Sequence, residues 1–231
     1  MKKKIVVLSG AGMSAESGIK TFRDADGLWE NHDIMEVATP EGWRRNMELV
    51  LEFYNQRRRQ LFEVQPNAGH KALVDLEAVH EVDIVTQNVD DLHERAGSTR
   101  VLHLHGELAK ARSTFDERLV YEWKKDILVG DKCEKGSQLR PHIVWFGEEV
   151  PMLEPAIDLM DKADIAIIIG TSMQVYPAAG LIGYANPDTA IFYIDPKPAI
   201  NYELRLMKNL EVLAENASTG VRKVVDRLLG T

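Results

Sequence analysis

The amino-acid sequence predicts an α/β fold: a doubly wound parallel sheet with a smaller inserted domain. Three observations carry this expectation. Short aliphatic runs at 5–8, 82–85, 165–169 and 191–194 read as strands buried on both faces, and 101–104 reads as a fifth. Stretches with helical periodicity, such as 68–80, 154–163 and 218–229, separate them, and such alternation builds a parallel sheet covered by helices. A glycine-rich turn, Gly10-Ala11-Gly12, directly follows the first run. That is the strand-to-helix turn of Rossmann-like nucleotide-binding sheets.

The first run follows Lys2-Lys3-Lys4, which imitates the start of an export signal. Four apolar residues before Ser9-Gly10 are too few for one, so residues 5–8 read as the first buried strand. No stretch approaches the roughly 18 apolar residues that span a bilayer, so no membrane partner is expected.

Two segments break the alternation. Residues 32–69 read as helical throughout, with Met47, Val50, Leu51 and Tyr54 at helical spacing. Residues 106–142 are mixed and charged, with Gly130 and Gly136 as breakers. Together they are expected to form the small domain. The Rossmann-like part would then be discontinuous, made of 1–31, 70–105 and 143–231. A cleft between the two parts is a common ligand site.

The chain has 231 residues and a formal net charge of -8. That length allows one substantial core. The acidic balance argues against a general nucleic-acid binder. The one cysteine, Cys133, excludes an internal disulfide and a four-cysteine metal site. A free thiol suits a reducing cytoplasm.

Five motifs carry candidate chemistry. Gly10-Ala11-Gly12-Met13-Ser14-Ala15 matches G-x-G-x-x-A, in which glycines let the backbone approach a pyrophosphate. A purely structural tight turn is the plainer reading. The usual acidic residue about 20 positions later, at the end of a second strand, is missing. A hydride-transferring dehydrogenase is therefore disfavoured. Gln87, Asn88, Val89 and Asp90 follow the strand at 82–85, where side chains face the ligand crevice. Asn88 or Asp90 could equally be a helix cap. His103 and His105 share a strand face, so a metal pair is conceivable, but no nearby side chain supplies a third ligand. His105, beside Gly106, is better placed as a general base. Gly170-Thr171-Ser172 and Asp195-Pro196-Lys197 end two further strands and suit nucleotide contacts.

Taken together, the stretches GAGMSAESGIKTFRD (10–24), TQNVDD (86–91), LHG (104–106), RPHIVWFGE (140–148) and GTSMQVYPAA (170–179) resemble the sirtuin family. They stand in that family's order and spacing over nearly the whole chain. The resemblance implies an enzyme that uses NAD as co-substrate to remove acyl groups from protein lysines, releasing nicotinamide and O-acyl-ADP-ribose. It makes His105 the base, with Asn88 and Asp90 beside it as catalytic residues. Gly10, Ala11, Gly12, Ser14, Phe22 and Arg23 would surround the ribose and nicotinamide. Gln87, Asn88, Val89 and Asp90 would hold the ribose and carboxamide. Gly170, Thr171, Ser172, Asp195, Pro196, Lys197 and Ala217 would face the adenosine. Val144, Trp145 and Phe146 resemble the edge that pairs with an extended acyl-lysine peptide by strand addition.

Family members often bind a structural zinc through two CxxC pairs. Cys133 alone cannot, so no metal is expected, and packing and salt bridges must hold 106–142. Tyr54 and Arg57 resemble the Tyr-x-x-Arg pair that reads the carboxylate of succinyl- or malonyl-lysine in one subgroup, and Ala38 the small residue that leaves room for a bulkier acyl chain. Positions i and i+3 share a helix face, so both can reach one carboxylate. The plainer reading makes Tyr54 core and Arg57 a solvated charge, since Arg58 and Arg59 follow. An ADP-ribosyltransferase, which would label an acceptor from NAD, and a non-enzymatic NAD-sensing module, which would release no nicotinamide, are the alternatives.

Overall fold

The protein is described by a computed structural model over residues 2–20, 28–29 and 32–230. The chain opens with β1 (Lys4–Ser9), the single turn α1 (Gly12–Ala15) and the short antiparallel pair β2 (Leu28–Trp29) and β3 (His32–Asp33). Four helices follow: α2 (Ile34–Val37), α3 (Pro40–Arg45), α4 (Met47–Leu61) and α5 (Ala68–Glu77). Next come β4 (Glu81–Thr86), α6 (Leu92–Ala96) and β5 (Val101–His103). β6 (Gly106–Ser113), β7 (Val120–Glu122) and β8 (Leu139–Ile143) lead to α7 (Leu153–Asp161). The chain closes with β9 (Ile165–Ile169), a 3₁₀ helix at Ala178–Tyr184, β10 (Ala190–Ile194), α8 (Tyr202–Leu206), β11 (Leu210–Leu213) and α9 (Ala217–Leu229).

Among the described residues, six strands form one parallel sheet in the order β11-β10-β9-β1-β4-β5. Counted within this sheet, the order is third, second, first, fourth, fifth, sixth from the β5 edge. That is the doubly wound Rossmann order, with its reversal between β1 and β9. Strand alternation sends Ile5, Val7, Ile167 and Ile169 to one face, where α5 and α9 cover them with Leu73, Leu76, Val221 and Val224. Val6, Leu8, Ile168 and Tyr193 meet Met160 of α7 and Leu181 and Ile182 of the 3₁₀ helix on the other.

The predicted strands are all present, and one more, β11, lies at the edge. Its Glu211 and Val212 are exposed, so it lacks the continuous aliphatic character of the inner strands. Residues 32–69 are not helical throughout. Asp33, Thr39, Asn46 and Asn67 each accept a backbone N–H at a new helix start, and Pro40 follows Thr39. These caps divide the segment, and α5 begins within it.

Residues 106–142 contribute most of an antiparallel sheet in the order β7-β6-β8, with β8 extending to Ile143. It packs on α4 through Leu51, Ala111, Ile127, Cys133 and Leu139. The Asn55 side chain donates to the Ile127 carbonyl at 3.0 Å and accepts the Ile127 N–H at 2.9 Å, as a neighbouring strand would. Arg58 donates from Nε to the Leu108 carbonyl at 2.7 Å and from Nη1 to Asn55 at 2.7 Å. This arginine is 1% exposed, and burial pushes its pKa down to about 10. The reading of 57–59 as a solvated run therefore holds only for Arg59. The anchor of this segment is a buried polar clamp on an apolar cluster.

Candidate active site at the sheet switch point

A cavity of about 580 Å³ opens at the C-terminal ends of the strands, where the sheet order reverses. The turns after β1 and β9 meet there. The Gly12 N–H donates to the Gly170 carbonyl at 2.8 Å. A Cβ on Gly12 would lie 2.7 Å from Gly170 Cα, and one on Gly10 2.8 Å from Thr171 Cβ. The space these glycines keep clear is filled by the neighbouring turn. Their first role is thus close packing of two strand ends rather than approach to a ligand alone. Gly170 has φ +60°, in the region that favours glycine. The helix behind the turn is one turn long, so its dipole is much smaller than the motif suggests.

Polar side chains from separate elements converge beside this contact. Asn88 Nδ2 donates to Ser14 Oγ at 3.1 Å, and Ser14 Oγ donates to Asp90 Oδ2 at 2.9 Å. Asp90 Oδ1 accepts the Leu92 N–H at 3.1 Å, but the N-cap of α6 is Asp91, whose side chain makes no capping bond, so neither Asn88 nor Asp90 is the cap. Burial raises the Asp90 carboxyl pKa, against the hydrogen bonds from Ser14 and Leu92. Gln87 donates to Thr171 Oγ1 at 3.1 Å, joining the β4 and β9 loops. Asp90 is the acidic group after the second strand of the sheet. It comes late in sequence because the segment carrying α2–α5 intervenes.

His105 lines the cavity. Its Nδ1 lies 3.1 Å from the Gln87 carbonyl, which can only accept. Nδ1 therefore carries the proton in the neutral ring, leaving Nε2 unprotonated. Burial lowers its pKa, partly opposed by that carbonyl. His103 does not join it as a metal ligand: its nitrogens meet Asn88 and Glu94. Among the described residues, no three His, Cys, Asp or Glu side chains group as a metal site.

Tyr54, Arg57, Ala38, Val144, Trp145 and Phe146 all contribute to the same lining. Arg57 is 8% exposed, not solvated. Its guanidinium lies 3.4 Å over the Phe53 ring, and Nη1 donates to the Phe53 carbonyl at 2.6 Å. Tyr54 accepts the Trp145 indole N–H at 3.1 Å, and burial pushes the phenol pKa up. The N–H groups of Val144, Trp145 and Phe146 are already donated, to His105 O, Glu148 Oε2 and Ala38 O. These N–H groups are not available for strand addition.

The cavity also collects Val89, Ser172, Asp195, Pro196, Lys197 and Ala217, so every described residue expected to touch NAD or the acyl-lysine lines it, while His103 does not. Phe22 and Arg23 lie outside the described residues. Sequence reasoning missed the layer beneath: Ser9 Oγ donates to Thr86 Oγ1 at 2.9 Å and sits 3.0 Å from His93 Nε2. Burial, and His70 beside it, hold His93 neutral, far below the usual imidazole range. A serine ending an aliphatic strand was the available signal. It also missed Glu148, which accepts from Arg140 and Arg112 while Arg140 stacks 3.2 Å over Trp145.

A doubly wound sheet with polar groups gathered at its switch point, beside a second lobe, has the architecture of a dinucleotide-binding α/β protein. The Sir2 family pattern matches residues 10–177, and the chain belongs to that family. A Helicobacter pylori (strain J99 / ATCC 700824) protein named NAD-dependent protein deacylase is 60% identical over 227 residues, 98% of this chain and 96% of its own. A solved mutant Sir2 homologue in complex with ADP-ribose superposes with a TM-score of 0.88 at 38% identity, over 99% of this chain and 93% of its own. A Sir2 homologue–NAD complex gives 0.86 at 37% identity, over 99% and 90%.

Proposed function

We propose that this protein is an NAD-dependent protein-lysine deacylase that accepts succinyl- and malonyl-lysine as well as acetyl-lysine. One observation carries the reading: a single cavity joins the switch-point polar groups, the neutral His105, and the Tyr54–Arg57 face of α4. The donor set fits a dinucleotide. Asp90, Asn88 and Ser14 offer acceptors and donors for ribose hydroxyls, Gln87 and Asn88 amides for a carboxamide, and Thr171, Ser172, Asp195 and Lys197 polar groups toward the adenosine end.

The acyl group would pass from lysine to the ribose of bound NAD as its bond to nicotinamide breaks and one water is consumed, so that nicotinamide, O-acyl-ADP-ribose and the free lysine leave as products. The chain's own residues hold and orient. His105 Nε2 is the atom that takes a proton from a hydroxyl in the cavity, its ring fixed by the Gln87 carbonyl. Fixed dipoles of Asn88, Gln87 and Ser14, with Asp90, can stabilise developing positive charge without reorganisation. Arg57, pre-set by Phe53, would receive a distal acyl carboxylate with Tyr54 as second donor, and Ala38 leaves room for the longer chain. An extended peptide would lie along Phe146 and Gly147 opposite Val175 and Tyr176, using groups other than the engaged N–H groups of 144–146.

In this reading 1–31, 70–105 and 143–231 form the NAD-binding domain, and 32–69 with 106–142 form the small domain that reads the acyl group. No described helix is long and apolar enough to cross a membrane. The buried free thiol of Cys133 suits a reducing compartment such as the cytoplasm. The test is mass spectrometry of succinyl-, malonyl- and acetyl-lysine peptides competing in one NAD-containing reaction. Loss of the acidic acyl groups ahead of acetyl is expected. Removal of acetyl alone would overturn the acyl assignment.

A further inference from the structure

The loop between β4 and α6 is gripped by two histidines at the end of β5. His105 Nδ1 donates to the Gln87 carbonyl, and His103 Nδ1 sits 3.1 Å from the next carbonyl, that of Asn88. His103 differs in its second nitrogen, for Nε2 lies 2.7 Å from Glu94 Oε1. A carbonyl oxygen only accepts, and an ionised carboxylate only accepts. Burial tends to raise the Glu94 carboxyl pKa, but the His103 hydrogen bond and charge bring it below the usual range, so Glu94 is ionised. Both nitrogens of His103 must then carry protons, although its side chain is only 8% exposed.

The surrounding charges agree. Glu94 on α6 and Glu107 on β6 both favour the cation, while Lys110 on β6 draws on Glu94. His93 on α6 is held neutral, His70 on α5 is pushed down to about 4 by burial, and Asp90 in the loop feels the His103 charge as a stabiliser of its own ionised form. Asn88 is thereby held at three points: its N–H by Thr86 Oγ1, its amide by Ser14, and its carbonyl by His103.

We propose that His103 is a positioning residue: an imidazolium pinned between Glu94 and the Asn88 carbonyl, fixing the 87–90 loop and setting its positive charge beside Asp90. Its effect on turnover rests on the NAD reading above; its protonation state does not. Glu94→Gln separates the two contributions. The new amide can donate to a bare Nε2, so the ring stays in place but becomes neutral. Loss of a charge-assisted contact then raises the KM for NAD by about 10-fold or more, with a smaller change in kcat.

Histidine-selective isotope-labelled NMR of the NAD-free protein reads the protonation directly, with His103→Asn assigning the signal. Near neutral pH the wild type should show both His103 nitrogens protonated, and Glu94→Gln should show one bare nitrogen. Burial lowers the His103 pKa, but the hydrogen bond and charge of Glu94, with Glu107 and the Asn88 carbonyl, leave it above its usual value, so the charged contact persists below that raised value and is lost as pH rises through it. The alkaline limb of the NAD KM profile should therefore move to lower pH in Glu94→Gln, a change that a merely structural contact would not produce. A neutral His103 in the wild type would overturn the inference and leave the deacylase reading untouched. So would a Glu94→Gln variant with unaltered KM and pH profile. A wild type that turns over no NAD would instead sink the deacylase reading.

Discussion

Arg57→Met removes the charge proposed to read the acyl carboxylate while keeping an unbranched stem of similar length. The guanidinium is already ordered, stacked 3.4 Å over Phe53 and bonded to its carbonyl at 2.6 Å. Binding a carboxylate therefore immobilises little more of the arginine, and most of the contact's free energy should appear in recognition. A hydrogen bond to a charged group contributes about 1.5–3 kcal/mol, or roughly 10- to 150-fold in kcat/KM. The carboxylate lies at the far end of the acyl chain from the reacting carbonyl, so the contact is made equally in ground and transition states. The loss should appear mainly as a raised KM for succinyl-lysine peptide, with acetyl-lysine nearly unchanged. Steady-state kinetics with both peptides, on wild type and Arg57→Met, make the comparison. Equal weakening of both substrates would refute the reasoning and make Arg57 a support for α4.

Three further outcomes follow from the same geometry. His105→Ala should lower kcat by about 10²–10⁴-fold while calorimetry still detects NAD binding. Asn55→Leu should lower stability by about 2 kcal/mol or more in chemical denaturation, because it orphans the buried Ile127 N–H and carbonyl and one Arg58 nitrogen; a chelator should leave the wild-type midpoint unmoved. Since burial lowers the pKa of His70 to about 4, the unfolded chain binds its proton first, so stability should fall as pH drops from the usual imidazole range toward that value. A Tm series against pH checks this, and His70→Gln should make the slope shallower, leaving the share carried by His93 and His142, which burial also holds below the usual imidazole range.

Much of the sheet was legible because its inner strands are aliphatic on both faces, as at Ile165–Ile169. β11 was not, because an edge strand with Glu211 exposed lacks that pattern. The breaks within 32–69 were written in Asp33, Thr39-Pro40, Asn46 and Asn67, but a reading that follows apolar spacing passes over caps. The small antiparallel sheet depends on partners distant in sequence, such as Ala111 with Pro141, which no local pattern reveals.

Most cavity-lining residues were legible because they sit at strand ends in recognisable stretches, whereas Tyr54 and Arg57 on α4 and Ala38 after α2 were legible only through the family resemblance. Their supports were not. Ser9, His93, Glu94 and Glu148 act through contacts made only when the chain closes, and Arg58, in a run of arginines, gave no sign of its burial. Val144, Trp145 and Phe146 were placed at the cavity, yet their N–H groups turned out to be engaged, which shifts the expected peptide contact to the residues that follow.

The central claim is that one cavity couples NAD cleavage to acyl-lysine removal. The direct measurement quantifies nicotinamide and deacylated peptide in the same reaction, with and without NAD, by mass spectrometry. Equal amounts of both products, and none without NAD, are the predicted result. Deacylation that proceeds without NAD, or nicotinamide release that leaves the acyl-lysine intact and ADP-ribose attached to protein, would contradict it.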